Sequence, residues 1–160
     1  MIAALAISCA RPAAVFAAAD GPSWPPAPDP ARVTFTGAWS WAGLTRPLDV
    51  ACGRGLLAVA DPEAGAVWVV DRASSRRVAV PDGPASPVAP VGVALARDGV
   101  LWVADAERVV SLGPGERRWR PLAGTFDRPT AATPVGDGSV VVVDAAAHGV
   151  VWVEPSPTGV

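Results

Sequence analysis

A unit that recurs three times constrains this chain more than any other feature. It reads P-L-D-V-A-C…G-L-L-A-V-A-D over residues 47–61 and P-V-G-V-A-L-A-R-D-G-V-L-W-V-A-D over 90–105. The third copy is P-T-A-A-T-P-V-G-D-G-S-V-V-V-V-D over 129–144. The prolines Pro47, Pro90 and Pro129 stand 43 and 39 residues apart, and the aspartates Asp61, Asp105 and Asp144 stand 44 and 39 apart. The interval from proline to aspartate stays at 14 or 15 residues, so the core of the unit keeps its register while the linkers vary. A further match follows the aspartates: Gly65–Val69 aligns with Gly149–Val153. Such a period means stacked copies of one supersecondary unit, each covering the apolar face of its neighbour.

A period of roughly 40–45 residues suits one four-stranded propeller blade. The strands follow from the local pattern. Strand A follows each proline (48–52, 91–95, 130–133), strand B is an apolar run (56–60, 100–104, 139–143) and strand C is another (66–70, 108–112, 149–153). Continuous rather than alternating apolar residues predict strands buried on both faces. The runs are short, valine-rich and bounded by Gly, Pro and Asp, which argues against helix. Strand D, at the outer edge, is expected around 76–80 and 116–121, where Arg76, Arg77, Arg117, Arg118 and Arg120 form a solvated rim. Charged edges of this kind discourage sheet-to-sheet association. Asp98-Gly99 and Asp137-Gly138 carry the dipeptide favoured in tight hairpins. The expected fold is therefore all-β, a partial β-propeller of about three four-stranded antiparallel blades, half of a six-bladed ring.

The unit resembles the NHL repeat. The residues Pro90-Val91-Gly92-Val93-Ala94 and Asp98-Gly99-Val100-Leu101-Trp102-Val103-Ala104-Asp105 carry the resemblance most clearly. It extends over residues 32–155. That family includes enzymes, protein-binding scaffolds and RNA-binding modules, so the resemblance speaks to fold far more than to activity. In outline the chain also resembles gluconolactonase-like propellers, which implies a divalent cation held by Glu, Asn and Asp. The chain contains no Asn, so that site cannot be assembled here in the familiar way. NHL-type lyases and amidating enzymes imply several His, and this chain has one, His148. No catalytic residue, metal ligand or cofactor is therefore assigned.

Closed propellers have about four to eight blades, and six blades at this period need about 250 residues. The chain has 160. Three arrangements reconcile the numbers: a fragment of a longer reading frame, a homodimer of half-rings that completes the ring, and an open three-bladed monomer. Val33–Thr36 reads as the outer strand of a blade that begins before the first repeat. The domain reading is a leader over 1–19, a proline-rich linker over 20–31 and the propeller segment over 32–160.

Residues 2–10 are apolar and end at Cys9-Ala10, too short a stretch to span a bilayer. Leu-Ala-Ile-Ser before a cysteine resembles a bacterial lipoprotein signal, which implies lipidation at Cys9. Ala17-Ala18-Ala19 offers the small-residue cleavage pattern of an ordinary secretion signal. Both readings place the protein outside the cytoplasm, in the periplasm or at the outer membrane. The stretch 20–31 (D-G-P-S-W-P-P-A-P-D-P-A) then serves as an extended tether. Cys52, on strand A, reads as a small buried hydrophobe; a Cys9–Cys52 disulfide is the alternative.

A net charge of −2 disfavours nucleic acid as a partner. The aspartates Asp61, Asp105 and Asp144 each end strand B, and Asp commonly accepts hydrogen bonds from nearby backbone N–H groups at turns. With His148 they also mark the B–C turns (61–65, 105–107 and 144–149), which together with the D-to-A connections 82–87 and 124–128 are the candidate ligand-binding loops. Trp68, Trp102 and Trp152 are expected to pack between blades; Trp24, Trp39 and Trp41 precede the first repeat and are freer to meet a ligand. The function expected is a non-enzymatic scaffold that binds a protein or small ligand through loops on one face. The alternative is the first part of a lactonase or lyase whose metal ligands lie in other blades.

Overall fold

The computed structural model describes residues 43–136 and 138–154. The leader, the linker, the segment 33–36, Cys9, Trp24, Trp39, Trp41 and Asp137 lie outside the described residues. The chain divides into units Met1–Ala42 and Gly43–Val160, and the described residues belong to the second.

That unit is built from three antiparallel sheets. The first contains β1 (Asp49–Gly53), β2 (Leu56–Asp61), β3 (Ala66–Asp71) and β4 (Arg76–Val78) in sequential order. The second contains β5 (Gly92–Leu95), β6 (Leu101–Asp105), β7 (Arg108–Leu112) and β8 (Arg120–Pro121). The third contains β9 (Pro129–Pro134), β10 (Val140–Asp144) and β11 (Gly149–Val153). Each is an up-and-down meander, and no strand crosses over another. The strands expected at 48–52, 56–60 and 66–70 and their counterparts fall within one or two residues of those observed. The outer strands are shorter than expected. β4 stops at Val78, and β8 is confined to Arg120–Pro121, where a proline without an N–H cannot extend a ladder.

Successive sheets stack through their inner strands, β1 against β5 and β5 against β9, with β2 and β6 reaching across to the following sheet. Side chains alternate across each strand, so every sheet has a forward face toward its successor and a rear face toward its predecessor. In the first sheet the register Ala58↔Val69 and Ala60↔Val67 places those four residues on the forward face. They are buried against Leu101, Val103 and Val110 on the rear face of the second sheet. The pattern repeats one step on: Trp102 and Val109, on the forward face of the second sheet, meet Val140, Val142 and Val153 on the rear face of the third. Burial on both faces explains why β2, β3 and β6 read as unbroken apolar runs; β10 reads the same way, but Val143 on its forward face is exposed. Each fully buried Val or Leu contributes about 1.5–3 kcal/mol relative to an exposed one.

Two backbone features let the sheets approach. Asp49 on β1 accepts the Val93 amide of β5 at 2.9 Å through Oδ2, a direct tie between the first two sheets. Gly92 occupies the equivalent position on β5, and a Cβ there would lie 2.4 Å from the Thr130 carbonyl oxygen on β9. Only glycine permits that approach.

Trp119 completes the first interface. It lies within the arginine-rich segment expected to be solvated, yet it is buried, and its Nε1 donates to the Pro81 carbonyl at 2.9 Å. The tryptophans within strands behave differently from one another. Trp102 packs on the second core, and Trp68 is half-buried under the Arg77 guanidinium, 4.0 Å from its ring centroid. Trp152, expected between blades, is instead exposed on the forward face of the third sheet. No described sheet follows to cover it.

Candidate functional site: a repeated carboxylate latch

The three repeat aspartates occupy the last residue of β2, β6 and β10, and all three are buried. Each carboxylate binds two consecutive backbone amides just before the repeat proline. Asp61 accepts Thr45 N–H at 2.7 Å through Oδ2 and Arg46 N–H at 2.9 Å through Oδ1. Asp105 accepts Val88 and Ala89 N–H through Oδ1 at 3.0 and 2.7 Å. Asp144 accepts Asp127 N–H through Oδ2 at 2.8 Å and Arg128 N–H through Oδ1 at 2.9 Å. In every copy the next residue is the repeat proline, which has no N–H to contribute and holds its predecessor extended. The proline, the two amides and the aspartate thus act as one latch. It ties the entry to strand A to the turn between strands B and C.

The third donor varies with turn length. The β2–β3 and β10–β11 turns each have four residues, and the amide three positions after the aspartate bends back to it. Ala64 N–H reaches Asp61 at 3.2 Å, and Ala147 N–H reaches Asp144 at 3.3 Å. The β6–β7 turn has only Ala106 and Glu107, so the residue at that position, Arg108, already belongs to the strand. Its side chain replaces the missing amide: Nε donates to Asp105 Oδ2 at 3.2 Å, and Nη2 donates to the Ser86 carbonyl at 2.8 Å. A charged side chain thereby restores the third bond to a buried carboxylate.

These bonds act on the ionisation of Asp61 and Asp144. Burial raises the Asp61 pKa, but the amides of Thr45, Arg46 and Ala64 stabilise the anion more, and the net shift is downward. The amides of Asp127 and Arg128 depress Asp144 against a smaller effect of burial. Asp71, in the β3–β4 turn, is depressed by the backbone and hydroxyl of Ser74.

The latch aims the carboxylates inward and leaves the loop side chains outside. Glu63, Glu107 and His148 are exposed on the B–C turns, and Arg46, Val88, Asp127 and Arg128 are exposed on the entering loops. Strand A begins at the end of the sheet where strand B finishes, so within each sheet both loops lie at the same end. His148 adopts φ +50° at the last turn position before Gly149. Asp61, Asp105, Asp144 and His148 therefore lie on equivalent turns of three sheets, and no group of three or more His, Cys, Asp or Glu among the described residues could hold a metal ion. Cys52 is half-buried on β1 and is not a free thiol. The sequence pattern assigns no role to Arg108 or Trp119. The turn shortened by two residues was the one signal that could have pointed to Arg108.

No protein-family model matches the chain, and no curated protein matches it. Solved structures do. The chain is similar to Kuenenia stuttgartiensis hydrazine synthase, with 18% identity and a TM-score of 0.50 over 78% of this chain and 40% of that one. It is similar also to a chain of a nidogen/laminin complex, with 21% identity and a TM-score of 0.52 over 71% of this chain and 49% of that one. The chain thus spans less than half the length of either. Identity at this level speaks to fold alone. Together with three stacked antiparallel meanders, it shows an all-β, partial β-propeller.

Proposed function

We propose that this chain is an NHL-type propeller scaffold, exported from the cytoplasm, that binds a protein or small ligand through the loops at the latched end of its sheets. The observation that carries this reading is the latch. At least three hydrogen bonds hold each entering loop and B–C turn against a buried carboxylate, while Glu63, Glu107, His148, Arg46 and Arg128 remain exposed on a backbone whose shape is set in advance. Loops positioned by a rigid scaffold are the common location of binding residues, and preorganisation lowers the entropy lost on binding. Export rests on the leader residues 2–19.

The test uses the full chain, immobilised and exposed to a periplasmic extract. It is compared with a variant carrying Arg46→Glu, Glu63→Arg and Arg128→Glu, none of which donates or accepts through its side chain in the latch. A ligand retained by the native chain and weakened at least tenfold by the triple variant, with unchanged circular dichroism, is the expected result. Binding that ignores these substitutions would remove the loops from the proposal.

A further inference from the structure

Charge is divided between the two ends of the stacked sheets. Strand A of every meander starts at the latched end, so the β1–β2, β3–β4, β5–β6 and β7–β8 connections lie at the other end. These connections adjoin one another. Arg54 Nη1 donates to the Arg97 and Asp98 carbonyls at 3.4 and 2.6 Å, and a Cβ on Gly99 would lie 3.0 Å from Pro114 and 3.3 Å from Arg54. They carry exposed arginines: Arg54 after β1, Arg72 and Arg76 at the β3–β4 turn, Arg97 after β5, and Arg117 and Arg118 before β8. The acids among them are held by neighbours. Asp71 accepts the Ser74 amide and hydroxyl, Asp98 accepts the Val100 amide, and Glu116 divides its oxygens between Arg120 and the Gly113 amide. Glu154, after β11, and Asp137, between β9 and β10 in the sequence, still leave arginine in excess.

The latched end is the reverse: the three latch aspartates with Glu63, Glu107 and Asp127 outnumber Arg46, Arg108 and Arg128. A chain of net charge −2 thus has one cationic end and one anionic end. β2 and β3 are six residues long, which sets the two ends about 20 Å apart. That is about two Debye lengths at 0.1 M salt, so the acids at one end do not cancel the field at the other. Among the described residues, no hydrogen bond or ion pair engages the side chains of Arg97, Arg117 and Arg118.

We infer that the end opposite the latch is a basic face that seats on an anionic lipid surface through the phosphates of its headgroups. A guanidinium matches phosphate with two parallel hydrogen bonds. Each arginine held near an anionic leaflet strengthens association about fivefold. Stacked sheets lie about 10 Å apart, so cations on connections of different sheets are spread too widely to converge on one phosphate. A flat array of phosphates meets them together. A single-stranded nucleic acid follows a charged groove instead. The hollow beside these residues is lined by Glu116–Pro121 and does not extend to Arg54 or Arg97, so no such groove joins them. The inference is independent of the loop-binding proposal, since it concerns the other end of the sheets. Seated this way, the latched loops face away from the lipid.

Co-sedimentation of the full chain with vesicles tests it. The quantity read is partition into phosphatidylcholine vesicles holding about 30% phosphatidylglycerol, divided by partition into phosphatidylcholine alone, at about 0.05 M salt. Apolar segments that enter both kinds of vesicle cancel from this ratio. For the native chain a ratio above about thirty is expected, falling to near one at about 0.5 M salt. The double variant Arg97→Glu, Arg118→Glu should lower it at least about tenfold with unchanged circular dichroism. Arg46→Glu with Arg128→Glu makes the same change in net charge at the latched end and should leave the ratio within about twofold, since that end stands off the lipid. A native ratio near one overturns the inference without reference to any variant. So does an equal loss in the two double variants, which would mean attraction by net charge and not by one face. Capture of a single-stranded RNA but not of the anionic vesicles overturns it as well.

Discussion

Asp61 offers the sharpest check on the latch, because its two oxygens serve different donors. Oδ2 accepts only Thr45 N–H, whereas Oδ1 accepts Arg46 and Ala64 N–H. Replacing it by alanine removes all three bonds. A net hydrogen bond to a charged group contributes about 1.5–3 kcal/mol, but Thr45 and Arg46 are exposed enough to recover water, so the expected loss is about 2–4 kcal/mol. Against a typical domain stability of about 5–15 kcal/mol that is a large fraction. Asp61→Asn is nearly isosteric and separates hydrogen bonding from packing. Its amide should keep the oxygen at the two-donor position and turn its NH2 toward Thr45 N–H, losing one bond and the charge, about 1–2 kcal/mol. Urea denaturation followed by tryptophan fluorescence measures both, and amide exchange resolves them. In the alanine variant the amides of Thr45, Arg46 and Ala64 should all exchange faster. In the asparagine variant acceleration should be confined to Thr45. An Asp61→Asn protein with native stability and a protected Thr45 amide would refute the latch as a charge-dependent device.

Acid should weaken the fold through the same groups. The folded-state pKa values of Asp61, Asp71 and Asp144 are depressed, so their contribution is fully present above the unfolded value of about 3.9 and is lost as pH falls below it through the folded values. Stability measured against pH should therefore be level from neutrality down to about 4 and then fall, with a shallower fall in Asp61→Ala; a decline that begins near pH 6 would contradict this assignment. Gly92→Ala should cost about 1–3 kcal/mol by thermal denaturation, because the new Cβ meets the backbone oxygen of Thr130 at 2.4 Å and the inner strands must separate. Arg108→Ala should cost about 1–2 kcal/mol in urea. Grafting the four-residue turn 62–65 in place of Ala106-Glu107 should restore most of that loss, since a backbone amide then replaces the guanidinium. Trp119→Phe, which keeps most of the buried ring but drops the bond to the Pro81 carbonyl, should cost about 1 kcal/mol, well short of the about 3–5 kcal/mol expected for Trp119→Ala.

The inner strands were legible because their causes are local. The valine runs at 56–60 and 139–143 form the expected strands, though only the first is buried on both sides, since Val143 is exposed; Asp98-Gly99 forms the expected turn, with Gly99 at φ +96°. The outer strands were less legible: Arg76–Arg77 and Arg117–Arg118 are charged rims, but nothing local distinguishes the one buried residue among them, Trp119. Its burial depends on the Pro81 carbonyl 38 positions earlier. The aspartates were half legible. An Asp at the end of a strand predicts a turn, and the bonds from Ala64 and Ala147 are of that short-range kind. The bonds from Thr45, Val88 and Asp127 span 16 or 17 residues and require strand A to return beside strand B.

The sequence by itself determined the repeat, the antiparallel meander and the apolar character of both faces, because period, turn chemistry and hydrophobic pattern act over a few residues. Only the tertiary structure decided which of those apolar faces has a neighbour. Val67 and Val150 occupy the same register position, one residue away from the alignment of Gly65–Val69 with Gly149–Val153 suggested by the sequence, and one is buried while the other meets water. Burial is a property of what lies on the other side, and no residue carries that information alone.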